Sequence, residues 1–335
     1  MEGVEPLKAW MLDPLTQALS LVDRPRPEPG PQQVLIQVRA ASLNRGEFLV
    51  GMAVAGGAAA PKPCGMEATG EVIAIGAEAA TTLRFPLQIG SRVMGRSPGG
   101  FAQYALIEAQ DLLPVPDQLS WFEAACIPIA YLVAYDMVVV GGDLKPGQSC
   151  LVTAVSSGVG VACLQMAQAL GAHVIGTSSS DEKLDRLKSF GLQNAVLSRG
   201  ADFVDAVMAV TKGKGVELAI NNVGGSVAEA CLRSLAYQGR LALVGFVDAV
   251  KSVPMDLDRI HAYRLTIFGV SNKLRSAAQR AQSVRGFEED ILPMFAQGKL
   301  RPVIERVFAF EDLPAAQQAM RSNSHLGKLV LEVRA

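Results

Sequence analysis

Apolar and polar positions alternate with period two across residues 34–41, where Val34, Ile36 and Val38 interleave with Gln37 and Arg39. That period predicts a strand with one face turned to a core. Residues 70–76 and 90–95 are short apolar runs between glycines and read as further strands. Such pieces suit a small antiparallel barrel. Pro25, Pro27, Pro29 and Pro31 form an extended lead-in, and Pro61 and Pro63 stiffen a second loop by fixing φ.

After about Leu144 the texture changes. Strand-like runs alternate with helical ones at 149–155, 159–170, 173–178, 181–190, 194–198, 202–211, 216–223 and 227–235, and 239–246 and 265–270 supply two more strands. Alternation of this kind requires a parallel sheet with helices on both faces, because each crossover carries the chain back along the sheet. The expected class is therefore α/β, a doubly wound nucleotide-type domain joined to a mostly β barrel. Ser179, three residues before Glu182, reads as a capping box, and Gly171 and Gly191 stand where helices should stop. Beyond Asn272 a helix at 276–297 leads to an apolar run at 302–310, a helix near Asp312 and a strand at 327–333, a tail expected to return to the first domain.

The chain has 335 residues, 50% of them apolar, enough for two hydrophobic cores. Its 31 basic and 32 acidic residues leave a formal charge of −1, which gives no electrostatic footprint for nucleic acid or an anionic membrane. The apolar run 124–142 carries Pro128 and Asp136 and reads as a buried helix rather than a membrane span. The first ten residues place acids where a secretory signal needs a basic segment, so a cytoplasmic location is expected. Cys64, Cys126, Cys150, Cys163 and Cys231 are scattered through apolar runs, as reduced thiols are, and no pair has metal-ligand spacing.

Residues 151–161 carry the strongest chemical signal: an apolar strand enters a small-residue turn that opens a helix. Backbone N–H groups at such a turn suit a pyrophosphate. Against the dinucleotide fingerprint the turn keeps its last glycine, Gly160, but has Val155 and Ser157 where the first two would stand. Val155 should alter the turn, and the hydroxyls of Ser156 and Ser157 could compensate, with Gly158 and Val159 completing the cradle. NAD enzymes place an acid at the end of the next strand; here Thr177, Ser178, Ser179 and Ser180 stand there. Serine hydroxyls with the charges of Lys183 and Arg199 suit a ribose 2′-phosphate, although Lys183 could equally be a plain surface residue. The expected cofactor is NADPH. Asn222, Val223 and Gly224, with Val244, Gly245 and Phe246, are expected to cover its nicotinamide half, and Val270, Ser271 and Asn272 to reach the carboxamide; as turn glycines and neighbours they would need no ligand.

With those residues in place, the motifs at 40–47, 65–72, 90–95, 99–104, 144–147 and 222–225 make the chain similar to the medium-chain dehydrogenase/reductase superfamily, in its zinc-free quinone-oxidoreductase and enoyl-reductase branch. The resemblance implies a GroES-like barrel for substrate at 1–123 and 273–335, a Rossmann domain at 124–272, and a cleft at their junction. It also gives Arg199 the family's phosphate-binding place. Zinc alcohol dehydrogenases of the superfamily hold their ion with a Cys, a His–Glu pair and a later Cys, and this chain has Asn44, Met66–Glu67 and Ile129 there. No metal is expected.

Without a Lewis acid, the resemblance implies hydride delivery to an acceptor activated by its own conjugation, a quinone or an α,β-unsaturated carbonyl compound, small and apolar. Asn44, at a zinc-ligand place, is the candidate polar group near the nicotinamide, or else a cap on the 44–47 turn. Tyr131 could polarise the acceptor or deliver a proton, or else be a core tyrosine with one hydrogen bond. Lys328 approaches the cofactor phosphate or the cleft, or is a surface lysine. Residues 48–57 lack the tyrosine that some enoyl reductases use as an acid, and the Ala- and Gly-rich stretch 52–60 reads as a loop over the pocket. His173, His261 and His325 form no catalytic set. The alternatives are an enoyl-thioester reductase and a non-catalytic NADPH-binding protein. A homodimer through residues 269–272 is expected by analogy.

Overall fold

The structure, a computed structural model, describes residues 7–48 and 60–334. The loop expected at 52–60 therefore lies outside the described residues apart from Ala60. Two compact units divide the chain: Met1–Ile129 with Ala277–Ala335, and Ala130–Ser276. The division falls later than 123/124 because Ala125 and Cys126 pack with Ala40 and Val330 in the first unit.

In the first unit one sheet runs in the order Ile304–Ala309, Lys328–Glu332, Gln33–Ser42, Glu67–Ile75, Arg92–Arg96 and Leu112–Pro114, with Tyr104–Glu108 also pairing Gln33–Ser42. All these pairs are antiparallel except that between Ile304–Ala309 and Lys328–Glu332. A smaller sheet joins Leu19–Arg24, Leu7–Leu12 and Lys62–Pro63. Val34, Ile36 and Val38 are buried and Gln37 and Arg39 are not, as the period-two pattern requires. They join Trp10, Phe101, Phe310 and Leu331 in the core, and the Trp10 indole N–H donates to the Phe310 carbonyl at 2.9 Å. The register then decides what meets at one edge. Ser42 faces Val330, and Glu67 opens the strand on the other side of Gln33–Ser42.

The second unit is a six-stranded parallel sheet. Its strands are β1 (Ser149–Val152), β2 (His173–Ser178), β3 (Asn194–Leu197), β4 (Val216–Asn221), β5 (Leu235–Leu243) and β6 (Thr266–Gly269), in spatial order β3-β2-β1-β4-β5-β6. Between them run α1 (Gly158–Ala169), α2 (Asp181–Lys188), α3 (Val204–Val210), α4 (Ala228–Arg233) and α5 (Leu257–Tyr263). This is the doubly wound order, and its switch point, where such sheets take their ligands, lies between β1 and β4. Gly171 and Gly191 follow α1 and α2 with φ of 84° and 92°, a left-handed conformation that stops a helix at little cost in glycine. The cap of α2 is Ser180, not Ser179: the Ser180 hydroxyl accepts from the Lys183 N–H at 3.3 Å. Four hydroxyl residues in a row make the capping position ambiguous in sequence. No helix among the described residues is long and apolar enough to cross a membrane.

Candidate functional site

At the switch point β1 leads into a turn in which Ala154, not a glycine, takes the left-handed conformation, with φ of 47°. Val155 is fully buried and packs against Gly176 of β2, where an added Cβ would come within 2.8 Å of Val155 Cγ1. The side chain that departs from the fingerprint thus points into the core, and the glycine that makes room for it sits on the neighbouring strand. Gly160 is obligatory for a different reason: a Cβ there would lie 2.4 Å from the Ala154 carbonyl oxygen. Ser157 caps α1, its hydroxyl accepting from Gly160 N–H at 3.0 Å, so Gly158 and Val159 form the first turn of a twelve-residue helix. The positive end of that helix is a suitable seat for a pyrophosphate.

The end of β2, the expected ribose place, is polar and carries no acid at the strand terminus. Ser178, at the end of β2, lies 3.3 Å from Ser156 between hydroxyl oxygens. Ser179 is exposed. Ser198 N–H donates to the Ser178 carbonyl at 2.9 Å, which brings the exposed Arg199 to the end of β3 beside this serine pair. On the other side of the switch point Asn222 is anchored by its backbone N–H to Thr153 Oγ1 at 3.0 Å and by Nδ2 to the Thr153 carbonyl at 2.9 Å. Its Oδ1 is buried without a hydrogen-bond partner. An orphaned acceptor beside the strand crossover fits a ligand that brings a hydroxyl or amide donor, as the nicotinamide half of a dinucleotide does.

The remaining expected contacts are partly committed within the chain. Val223 and Gly224 N–H both donate to Asn221 Oδ1, at 3.0 and 2.9 Å. Val244 N–H bonds Asn221 and Val270 N–H bonds Leu243, both through carbonyls. Ser271 Oγ accepts from Lys273 N–H, and Asn272 Oδ1 from Arg275. Gly245 has open space above it, where an added Cβ would meet only the Asn222 carbonyl at 3.7 Å, and Phe246 is exposed.

Asn44 and Lys328 belong to the first unit, where the sheet register joins them to Glu67. Lys328 is 5% exposed and Glu67 is fully buried. The ammonium donates to the Leu43 carbonyl at 2.9 Å, Asn44 Oδ1 at 2.8 Å and Glu67 Oε1 at 3.0 Å, which uses all three of its N–H bonds. Glu67 also accepts from Ser42 Oγ at 2.6 Å, Asn44 Nδ2 at 2.7 Å and Ile129 N–H at 2.7 Å. The second Asn44 Nδ2 hydrogen goes to Glu47 Oε1 at 3.1 Å. Burial pushes the Glu47 carboxyl up to about 8, reinforced by the Glu67 charge and opposed by the Asn44 amide and Lys328.

This geometry bears on three of the expected residues. Lys328 is buried rather than a surface lysine, and its three donors bond within the chain. Both Asn44 amide hydrogens go to carboxylates and its Oδ1 accepts from Lys328, so its side chain bonds the Glu47 and Glu67 carboxylates rather than a backbone N–H of the 44–47 turn. Tyr131 is 2% exposed and its hydroxyl donates to Gln165 Oε1 at 2.9 Å, so it sits in the core with its proton committed rather than turned to an acceptor. Sequence reasoning misses Glu47 and gives Glu67 no role beyond marking the ligand place. The signal for both is the acid spacing around Asn44 and Met66, legible only once Lys328 is known to face them.

A zinc ion does not fit this donor set. Ile129 offers no ligand atom, Met66 only a thioether, and Asn44 and Glu67 hold an ammonium. Among the described residues no group of three or more His, Cys, Asp and Glu could hold a metal.

Residues 30–117 match the alcohol dehydrogenase GroES-like domain and residues 158–283 the zinc-binding dehydrogenase domain. The chain belongs to the medium-chain dehydrogenase/reductase superfamily, in its zinc-free branch. It is 30% identical over 320 residues to a phenolphthiocerol/phthiocerol polyketide synthase of Mycobacterium tuberculosis, a match covering 94% of this chain and 14% of that protein. The chain thus spans about one seventh of that relative's length. Among solved structures, the quinone oxidoreductase of Pseudomonas syringae pv. Tomato DC3000 is 26% identical with a TM-score of 0.83, covering 98% of this chain and 100% of that one. CurK enoyl reductase is 25% identical with the same TM-score, 0.83, and the same coverage, 98% and 100%. The superfamily makes the chain an oxidoreductase with a nucleotide-dependent dehydrogenase fold.

Proposed function

We propose that the chain is a metal-independent, NADPH-dependent reductase of carbon–carbon double bonds conjugated to a carbonyl, thioesters included. The observation that carries this reading is the buried Lys328 ammonium, held by Glu67 and Asn44, two residues that by the resemblance stand at zinc-ligand positions. A site built around a cation of its own offers no Lewis acid, so the acceptor must be activated by conjugation. When bound, reduced nicotinamide would supply a hydride for the carbon β to the carbonyl, with the proton at the α carbon drawn from solvent. Gly160 and the first turn of α1 seat the pyrophosphate; Ser156, Ser178, Ser179, Arg199 and Lys183 favour a 2′-phosphate; Asn222 Oδ1 accepts from the nicotinamide half. The polyketide synthase relative and CurK enoyl reductase favour an enoyl thioester as acceptor. The quinone oxidoreductase neighbour supports a second reading, quinones.

A homodimer belongs to the same proposal. Helix α5 has no buried residue, and β6 beside β5 forms a sheet edge with half-exposed Ile267 and Phe268. Light scattering on the full chain checks it.

The test is to mix the full chain with NADPH and follow loss of reduced-nicotinamide absorbance with a crotonyl thioester, a simple enone, a quinone and an unconjugated aldehyde. Turnover is expected with conjugated acceptors, unchanged by a chelator. Turnover of the aldehyde alone would oppose the reading, and tight NADPH binding without consumption by any acceptor would leave a binding protein.

A further inference from the structure

The loops that follow β4 and β5 are tied together by one carboxylate. Asp248 Oδ2 accepts from Ser226 N–H at 2.7 Å, across from its own loop, while Oδ1 accepts from Val250 N–H at 2.9 Å within it. The backbone doubles the tie: Asp248 N–H donates to the Val223 carbonyl at 3.2 Å and Gly225 N–H to the Val250 carbonyl at 3.0 Å. Gly224 has φ of 134°, and a Cβ there would lie 2.0 Å from Asp248 Oδ1. The glycine is therefore empty because the carboxylate fills its space. These bonds hold the Asp248 carboxyl below the usual carboxylate range against the opposing effect of burial, so it is charged at neutral pH and the bonds are charge-assisted.

The consequence lies in which groups the strap leaves without a partner. Val223 and Gly224 N–H are already taken by Asn221, and Val244 N–H by the Asn221 carbonyl. Gly245 and Asn222 Oδ1 remain beside the β1–β4 crossover. We infer that Asp248 is a positioning residue, a strap that locks residues 222–226 and 244–250 into one preformed ledge for the nicotinamide half of the cofactor. The inference rests on the cofactor reading above. Without the strap the two loops order only when cofactor arrives, and that ordering is subtracted from affinity. Asp248 needs no contact with the cofactor to act this way.

The test pairs amide hydrogen exchange with cofactor titration on the full chain, using Asp248→Ala, Asp248→Asn and Gly224→Ala. In Asp248→Ala, exchange at Ser226 and Val250 is expected to rise about tenfold or more, as for loss of a charge-assisted bond, and the Kd for NADPH to rise about tenfold. Asp248→Asn keeps an acceptor oxygen and should fall between that variant and the parent. Gly224→Ala displaces the carboxylate and should raise exchange at the same amides. A calorimetric melt near the parent's separates these effects from global unfolding, and a variant that melts early is judged by Asp248→Asn instead. Unchanged exchange in Asp248→Ala overturns the strap. Faster exchange with unchanged NADPH affinity overturns its role for the cofactor. A parent chain that binds neither NADPH nor NADH defeats the cofactor reading itself, a result separable from the other two because the exchange data stand without ligand.

Discussion

Two polar clusters sit in this chain, one in each unit, and they differ in what they leave unsatisfied. Around Glu67 every strong donor is paired: the Lys328 ammonium spends three hydrogens and the Asn44 amide both of its own. In the second unit the buried Asn222 Oδ1 at the β1–β4 crossover has no partner, and Arg199 stands exposed after β3. Buried polar groups are satisfied unless something else is meant to satisfy them. The first cluster is thus internally complete and holds strands together; the second keeps an unpartnered acceptor, the one the proposed cofactor would satisfy.

Breaking the complete cluster should have the largest effect. Lys328→Met leaves Glu67 buried and unpaired, and a cost of about 3–5 kcal/mol in unfolding free energy is expected from urea titration. Replacing both partners, Lys328→Met with Glu67→Leu, should recover a large part of that loss. A single variant as stable as the parent would mean that the pair is not buried as described. Next comes Gly160→Ala at the open cluster. With the added Cβ 2.4 Å from the Ala154 carbonyl oxygen, the turn must shift, at about 1–3 kcal/mol of stability and with loss of NADPH binding measured by fluorescence titration.

A smaller effect separates the clusters by pH. Glu47 is held from its ordinary 4.5 up to about 8, so the folded chain keeps a proton that the unfolded chain releases. Its contribution is greatest below 4.5, declines as pH rises through the window to about 8, and is flat beyond. The groups facing it are Glu67, Lys328 and Cys64. Glu47→Gln should flatten that part of the stability profile, read from melting temperatures across the window. An unchanged slope would assign it to other groups. Smallest of all, a thiol reagent should leave the native chain unmodified, since all five cysteines are buried and burial raises each thiol. Rapid labelling without denaturant would contradict the packing.

The same contrast separates what is legible in the sequence from what is not. The doubly wound sheet is legible because each strand and helix announces itself locally, through apolar runs, Gly171 and Gly191. The strand and turn at 151–161 are legible for that reason too. Val155 misleads, because its tolerance depends on Gly176 in the next strand. The Lys328–Glu67 pair spans 261 residues of chain and has no local signature, which is why the sequence alone points Lys328 toward a phosphate. Tyr131 looks reactive until Gln165, 34 residues on, is seen to accept its hydroxyl hydrogen bond. Asp248 lies in a loop whose meaning depends on Ser226 and Gly224 across a gap in sequence.

Binding of a phosphorylated dinucleotide at the open cluster is the central claim, and direct titration of the full chain with NADPH and NADH tests it. NADPH should bind about tenfold or more tightly than NADH, and Arg199→Ala should erase most of the difference while leaving NADH affinity unchanged. Equal affinity for the two, or a preference for NADH, would contradict the claim.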